Sequence, residues 1–285
     1  MYLRPCLEVT LFWSGPAAAR AAGIVKFYDE SLKLIRDGLA FYRTETMSAA
    51  KRLKKDTLGL VPFWFQDTKT RRDVYMMFLE SGAAPDEPSD RAFALNASPN
   101  NGFVRLILPV AYAAKSAAPF LDVALRLGQT IEYDFGQAGL ALNWNHLGDH
   151  GTPAKEAMNA LASRYPGLDI SHPFSTKYIA SKGFKAVNWL TFLSMDYVER
   201  LGGLSALRKA FDKDVVVHEQ KHGVAIQAGP APELGDVNRR KTLPVYHQVG
   251  RVLAPIRAKD HPPIFGPEGI QDKEVTEKWL SRFDS

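Results

Sequence analysis

Between residues 61 and 110 the chain reads as four short apolar runs, Val61 to Phe65, Val74 to Leu79, Ala92 to Ala97 and Phe103 to Val110. Turn-forming stretches separate them, among them Ser81-Gly82-Ala83-Ala84-Pro85-Asp86 and Ser98-Pro99-Asn100-Asn101-Gly102. This spacing predicts a meander of antiparallel strands. Pro62 is placed at an edge or at a strand start, because it has no N–H to give to a ladder.

The rest of the chain frames that meander without regular β–α alternation. Residues 6–13 alternate and read as a first strand. Ile24, Phe27, Tyr28, Leu32 and Ile35 recur at helical spacing after Pro16, and Gly38 ends or kinks that helix. Helical spacing resumes weakly through Phe41 and Met47 to Leu53. A helix is expected over 111–127, with Pro119 as an alternative start, and a strand over 138–144. Residues 153–165 form the clearest helix, with Thr152 as N-cap, Pro153 in the first turn and Pro166-Gly167 as terminator. A strand at 187–193 precedes a helix at 196–211, broken near Gly202-Gly203. Residues 215–218 and 224–228 read as a hairpin. Residues 229–267 hold seven of the 18 prolines and are expected to wrap irregularly around a short helix near 246–253. A last helix is expected near 275–283. The order predicts an α+β fold, with an antiparallel or mixed sheet and several packing helices. A single domain is expected over 1–285, with the Pro/Gly-rich wrap from about 229.

Composition excludes several classes. The chain has 285 residues, 46% hydrophobic and 24% charged, which are globular values and not those of a disordered chain. Cys6 is the one cysteine, so no intramolecular disulfide can form. It is read as a buried, inert thiol, since no sequence neighbour would lower its pKa. No basic segment followed by an apolar one marks a signal peptide at the N-terminus. The longest strictly apolar run, Leu106 to Ala114, falls far short of the roughly 20 residues of a membrane span. A soluble, cytoplasmic protein without membrane contact is expected.

The formal charge is +5, and all of it falls in one window. Lys51, Arg52, Lys54, Lys55, Lys69, Arg71 and Arg72 stand against Asp56 and Asp67, which leaves the remainder balanced at 29 against 29. The window also encloses Phe63-Trp64-Phe65. Cations interleaved with aromatics can bind single-stranded nucleic acid by phosphate contact and base stacking. The plainer reading is a solvated helix end at Lys51 to Lys55, core aromatics, and a charged hairpin tip at Lys69 to Arg72.

The sharpest chemical motif is His218-Glu219-Gln220-Lys221-His222, an H-E-x-x-H match. On a helix it would set two imidazoles one turn apart to hold zinc, with the glutamate polarising a bound water. Here it follows Val215-Val216-Val217 and precedes Gly223-Val224-Ala225-Ile226, so a hairpin turn is expected instead. Glu233 and Asp236 come downstream, among prolines and glycines and not on a supporting helix. His146 and His150 flank Gly148 in what reads as a loop. Glu132 and Asp134, two apart, read as a solvated strand edge, as do Asp86-Glu87 and Asp90 as a solvated loop.

Three segments resemble a known family. They are Leu3-Arg4-Pro5-Cys6-Leu7-Glu8-Val9-Thr10-Leu11-Phe12; Val187-Asn188-Trp189-Leu190-Thr191-Phe192-Leu193 with Val198-Glu199-Arg200-Leu201-Gly202-Gly203-Leu204; and Ile226-Gln227-Ala228-Gly229-Pro230 leading to Leu234-Gly235-Asp236-Val237-Asn238-Arg239. The pattern resembles the type VI immunity family of bacteria. The resemblance implies a non-enzymatic protein that binds a cognate type VI secretion toxin and blocks it. It carries over no catalytic, cofactor or metal residue, and it leaves the partner-binding residues unassigned. A zinc hydrolase built on His218, Glu219 and His222, and a nucleic-acid binder using Lys51, Lys54 and Arg71, stand as the alternatives. Nuclease inhibitors often present acidic surfaces, from which a +5 chain departs. Either its contact surface is locally acidic, with Glu132–Asp134 or Asp86-Glu87–Asp90 as candidates, or the toxin is not a basic nuclease.

Overall fold

A computed structural model describes residues 3–66, 72–85, 87–144, 151–265 and 273–285. Eleven strands among them build one sheet. Strand β1 (Leu3–Ser14) is its centre, antiparallel to β6 (Asn101–Pro109) on one side and to β7 (Phe135–Trp144) on the other. Beyond β6 come β5 (Ala92–Ala97), β4 (Tyr75–Ser81), β2 (Leu39–Thr44) and the short edge strand β3 (Lys51–Arg52). Beyond β7 come β9 (Leu190–Ser194), β11 (Gly223–Ala228) and the edge strand β10 (Val215–Gln220). The two-residue strand β8 (Asp169–Ile170) also joins β7, in parallel. It pairs with residues 141 and 142 of β7, beyond residue 138 where the pairing of β7 with β9 stops, so the sheet forks there. The expected α+β class and antiparallel meander are therefore found.

Period-two alternation sends side chains of β1 to opposite faces. Leu7, Val9, Leu11 and Trp13 share a face with Phe93 and Leu95. On that side lies helix α1 (Ala21–Ile35), whose Tyr28 ring meets the Phe93 edge at 4.9 Å. Helix α3 (Ala118–Gly128) also packs against β1. The opposite face carries Glu8, Thr10, Phe12, Arg105 and Gln137. The short helix α5 (Pro173–Thr176) covers part of it, with Phe174 against Phe78 and Phe103.

That second face buries charge. Glu8 and Arg105 pair at 2.6 Å, and Asp169 and Lys185 pair at 2.9 Å, with all four side chains at 5% exposure or less. Buried charges persist only when paired and hydrogen-bonded. Ser171 and Thr10 hydroxyls donate to Glu8, Arg105 donates to Asn143, and Gln137 donates to Asp169. Lys185 also reaches the Ile170 carbonyl at 2.6 Å. Cys6 is buried beside this layer, and burial pushes its thiol far above the ordinary range. This is the inert thiol expected.

Several local expectations are corrected. Residues 61–65 are not a strand but lie in helix α2 (Leu60–Gln66), which buries Val61 and Trp64 one turn apart. Pro62 sits in its first turn, where no N–H is missed. The weak helical spacing from Phe41 to Leu53 is overridden by pairing. Residues 39–44 complete the outer side of β4, and Lys51–Arg52 is an edge strand and not a helix end. Helix α3 starts at Ala118, with Pro119 in its first turn, after a 3-10 turn at Val110–Ala113. The helix expected over 196–211 divides into α6 (Met195–Arg200) and α7 (Gly203–Lys209). Gly202 and Gly203 adopt φ of 92° and 87° between them, a backbone that side chains disfavour. Helix α4 (Gly151–Arg164) is present, but the side chains of 151–153 lie outside the described residues, and with them the cap expected from Thr152. The C-terminal region contains α8 (Pro244–Leu253) and α9 (Lys273–Leu280). No described helix is long and apolar enough to cross a membrane.

Candidate partner-binding surface

The H-E-x-x-H segment runs along β10 and through the two-residue turn into β11. Strand neighbours His218 and Glu219 project to opposite faces. His218 Nε2 donates to Gln227 Oε1 at 2.8 Å, and Glu219 pairs with Arg208 at 2.6 Å. The Lys221 N–H donates to Gln129 at the end of α3. Partial burial and the adjacent Lys221 hold the His222 imidazole below its ordinary pKa. The convergence that a helix gives to residues four apart is not formed, because the chain reverses between the two histidines. Glu233 and Asp236 are engaged by Lys241 and Arg164. Among the described residues, no group of three or more His, Cys, Asp or Glu gathers as a metal site would require.

Zinc added to metal-free protein is expected to leave the Tm unchanged. A saturable rise in Tm at one zinc per chain would restore the metal reading.

Among the described residues the basic window does not assemble into a stacking platform. Of its three aromatics, Phe63 is 58% exposed and Trp64 is buried. Phe65 is spent stacking on Tyr75 at 4.6 Å. Arg52 lies over the Phe41 ring and Arg72 over the Trp64 ring. Arg72 also pairs with Glu45. Lys51, Arg52, Lys54 and Lys55 are exposed around the β3 edge, where charge discourages edge-to-edge pairing. Lys69, Arg71 and Asp67 lie outside the described residues, as do His146, His150 and Asp86.

Among the described residues the acidic candidates are separately engaged. Glu132 is exposed and Asp134 half-buried, in the loop before β7 and not on a strand. The Ser14 N–H donates to Asp134, while desolvation raises its pKa. Asp90 accepts from Ser81 at 2.9 Å and lies 3.6 Å from Arg4.

A different surface stands out. Asp236 and Lys241 exchange two backbone hydrogen bonds, each 3.0 Å, and so close a loop around residues 237–240. The Asp236 carboxylate accepts from the Asn238 N–H and from both arms of Arg164, at the end of α4, at 3.1 to 3.2 Å. Those donors hold its carboxyl below the usual carboxylate range. The loop presents Val237-Asn238-Arg239-Arg240-Lys241, every residue exposed. Beside it lies a cleft of about 1130 Å³, bordered by α4, α8 and α9, with Arg240, Lys241, His247, Lys278 and Arg282 among its lining. The sequence reading treated this stretch as irregular wrap. The available signal was three consecutive cations, Arg239-Arg240-Lys241, placed between Gly235 and Pro244.

Comparison with known proteins gives the family. No curated protein matches the sequence. A solved structure of a Pseudomonas aeruginosa T6SS protein shares the fold at a TM-score of 0.83 and 20% identity, covering 100% of this chain and 85% of that one. The family model TsiV, type VI immunity for VRR-NUC, matches residues 36–283. This agrees with the family that the three sequence segments resemble, and the chain belongs to the TsiV type VI immunity family.

Proposed function

We propose that this immunity protein neutralises a VRR-NUC toxin in the cytoplasm by one-to-one binding that covers the toxin's catalytic cleft or substrate path. The observation that carries the reading is the family match over residues 36–283, whose description pairs type VI immunity with VRR-NUC. A second point supports stoichiometric binding. The H-E-x-x-H residues sit in a hairpin with partners of their own, so blocking by contact suits the chain better than hydrolysis does. A single domain is supported by one sheet that joins residues 3 to 228 and by the packing of α8 on β11. An interface of ordinary size would bury about 1,600 Å² in total.

Co-expression with a VRR-NUC toxin tests this. Cells carrying both proteins are expected to survive and the pair to co-purify at one to one. Continued toxicity with no co-purification would overturn the reading.

A further inference from the structure

The geometry points to the 237–241 loop, with the cleft beside it, as the surface that engages carboxylates of the toxin, namely those holding its catalytic divalent metal ions. The inference rests on the proposed VRR-NUC partner and says how such a partner is held.

The loop is built to stay in one shape. Its base is the Asp236–Lys241 backbone pair, and its carboxylate hub is filled by Arg164 and the Asn238 N–H. A loop ordered before binding loses little freedom on docking. Arg240 adds strain that the fold does not need. Its φ of 54° makes it the one described non-glycine residue in the left-handed region. It closes the 3-10 turn Val237–Arg239, a position where glycine is the easier residue. A strained residue retained at an exposed tip is an indication of function. What arginine adds there is a cation.

The charges of the surface are uneven. Val237 is 58% exposed and the Arg239 side chain 81% exposed, so the tip combines an apolar contact with an exposed guanidinium. Lys241 lies 3.7 Å from Glu233, and Arg239 lies 3.8 Å from Asp236, whose oxygens Arg164 already occupies. In the cleft, Arg240, Lys241, Lys278 and Arg282 face one described acidic side chain, Asp284. Arg257 holds that carboxylate at 2.6 Å. Ser285 also borders the cleft, and Arg282 is spent on the Pro166 and Trp279 carbonyls, so the cations on offer are Arg239, Arg240, Lys241 and Lys278. Arginine is among the residue types that most often anchor an interface. The complement of this surface is a partner rich in carboxylates. A nuclease that works through divalent cations concentrates carboxylates in its cleft to hold them. A basic loop that reaches those groups needs no acidic imitation of nucleic acid.

The test uses the full chain, the VRR-NUC toxin, and calorimetric titration with and without magnesium. Arg239→Glu with Lys241→Glu is expected to weaken binding about 100-fold, within the range measured for close interfacial charge pairs. Arg240→Gly is expected to weaken it about tenfold while leaving the Tm at or above the wild-type value, since glycine suits the left-handed backbone. Magnesium is expected to weaken wild-type binding by competing for the same carboxylates. Unchanged affinity in the charge-reversed variant, beside a binding wild type, would overturn the loop assignment. Lost affinity in the variants with no magnesium effect would overturn the assignment to metal-holding carboxylates. A wild type that fails to bind overturns the VRR-NUC reading itself, and this inference with it.

Discussion

Replacing Asp169 with alanine is expected to lower the unfolding free energy by about 3–5 kcal/mol, the usual cost of orphaning one member of a buried pair. Lys185 Nζ lies 2.9 Å from both Asp169 oxygens, and each side chain is 1% exposed. Without the carboxylate, the ammonium keeps the Ile170 carbonyl and the face of the Trp279 ring in a place where burial already lowers its pKa. The pair sits where β8 and β9 fork away from one another along β7. The damage should therefore reach the segment between residues 171 and 189 that crosses the sheet. Combining Asp169→Leu with Lys185→Met removes both charges and should return stability to within about 2 kcal/mol of wild type, since a buried pair gives little over an apolar one. Urea unfolding of the three proteins decides this. A single variant losing less than about 1 kcal/mol would show that water reaches Lys185.

Acid should unfold the protein through His261. The imidazole donates from Nδ1 to the Pro262 carbonyl at 2.6 Å and accepts at Nε2 from the Thr176 hydroxyl at 3.0 Å. Both nitrogens are satisfied in the neutral form. Burial, aided by the nearby Lys185 charge, lowers its pKa to about 3, against about 6.5 in an unfolded chain. Between those values the unfolded state binds a proton that the folded state does not. Stability is then full above about pH 6.5 and declines as pH falls towards 3, by about 2 kcal/mol at pH 5 and about 4–5 kcal/mol at the lower limit. Urea titrations at pH 7 and pH 5 measure the loss. In His261→Gln the difference between the two pH values should shrink by about 2 kcal/mol. An equal pH dependence in both proteins would place the acid sensitivity in the carboxylates.

The local elements were legible wherever a short-range rule acts alone. Alternation in residues 6–13 marked the central strand, and Gly202-Gly203 marked the break between α6 and α7. Val215-Val216-Val217 and Val224-Ala225-Ile226 marked the hairpin, and this alone removed His218 and His222 from the helix that zinc ligation would need. Where the rule was ambiguous, the reading failed. Val61 to Phe65 is five residues of mixed apolar character, which suits a buried strand or a short helix equally. Only the packing of Val61 and Trp64 chose the helix. The weak periodicity from Phe41 to Leu53 lost to the open side of β4, whose backbone groups needed partners.

The site itself was less legible than the fold. The tip cations stood in plain sight, but the Asp236–Arg164 contact that braces them spans 72 residues. No periodicity carries information over that distance. By itself, the sequence determined most of the strands and helices, that the class is α+β, and which family pattern the chain follows. Only the tertiary structure decided that Glu8 meets Arg105 across 97 residues, that Phe63 is exposed while Trp64 is buried, and that residues 237–241 stand out as a braced basic loop. The division has a physical cause. Propensity and periodicity act over a few residues, whereas burial, ion pairing and loop bracing depend on which distant segments the sheet brings together.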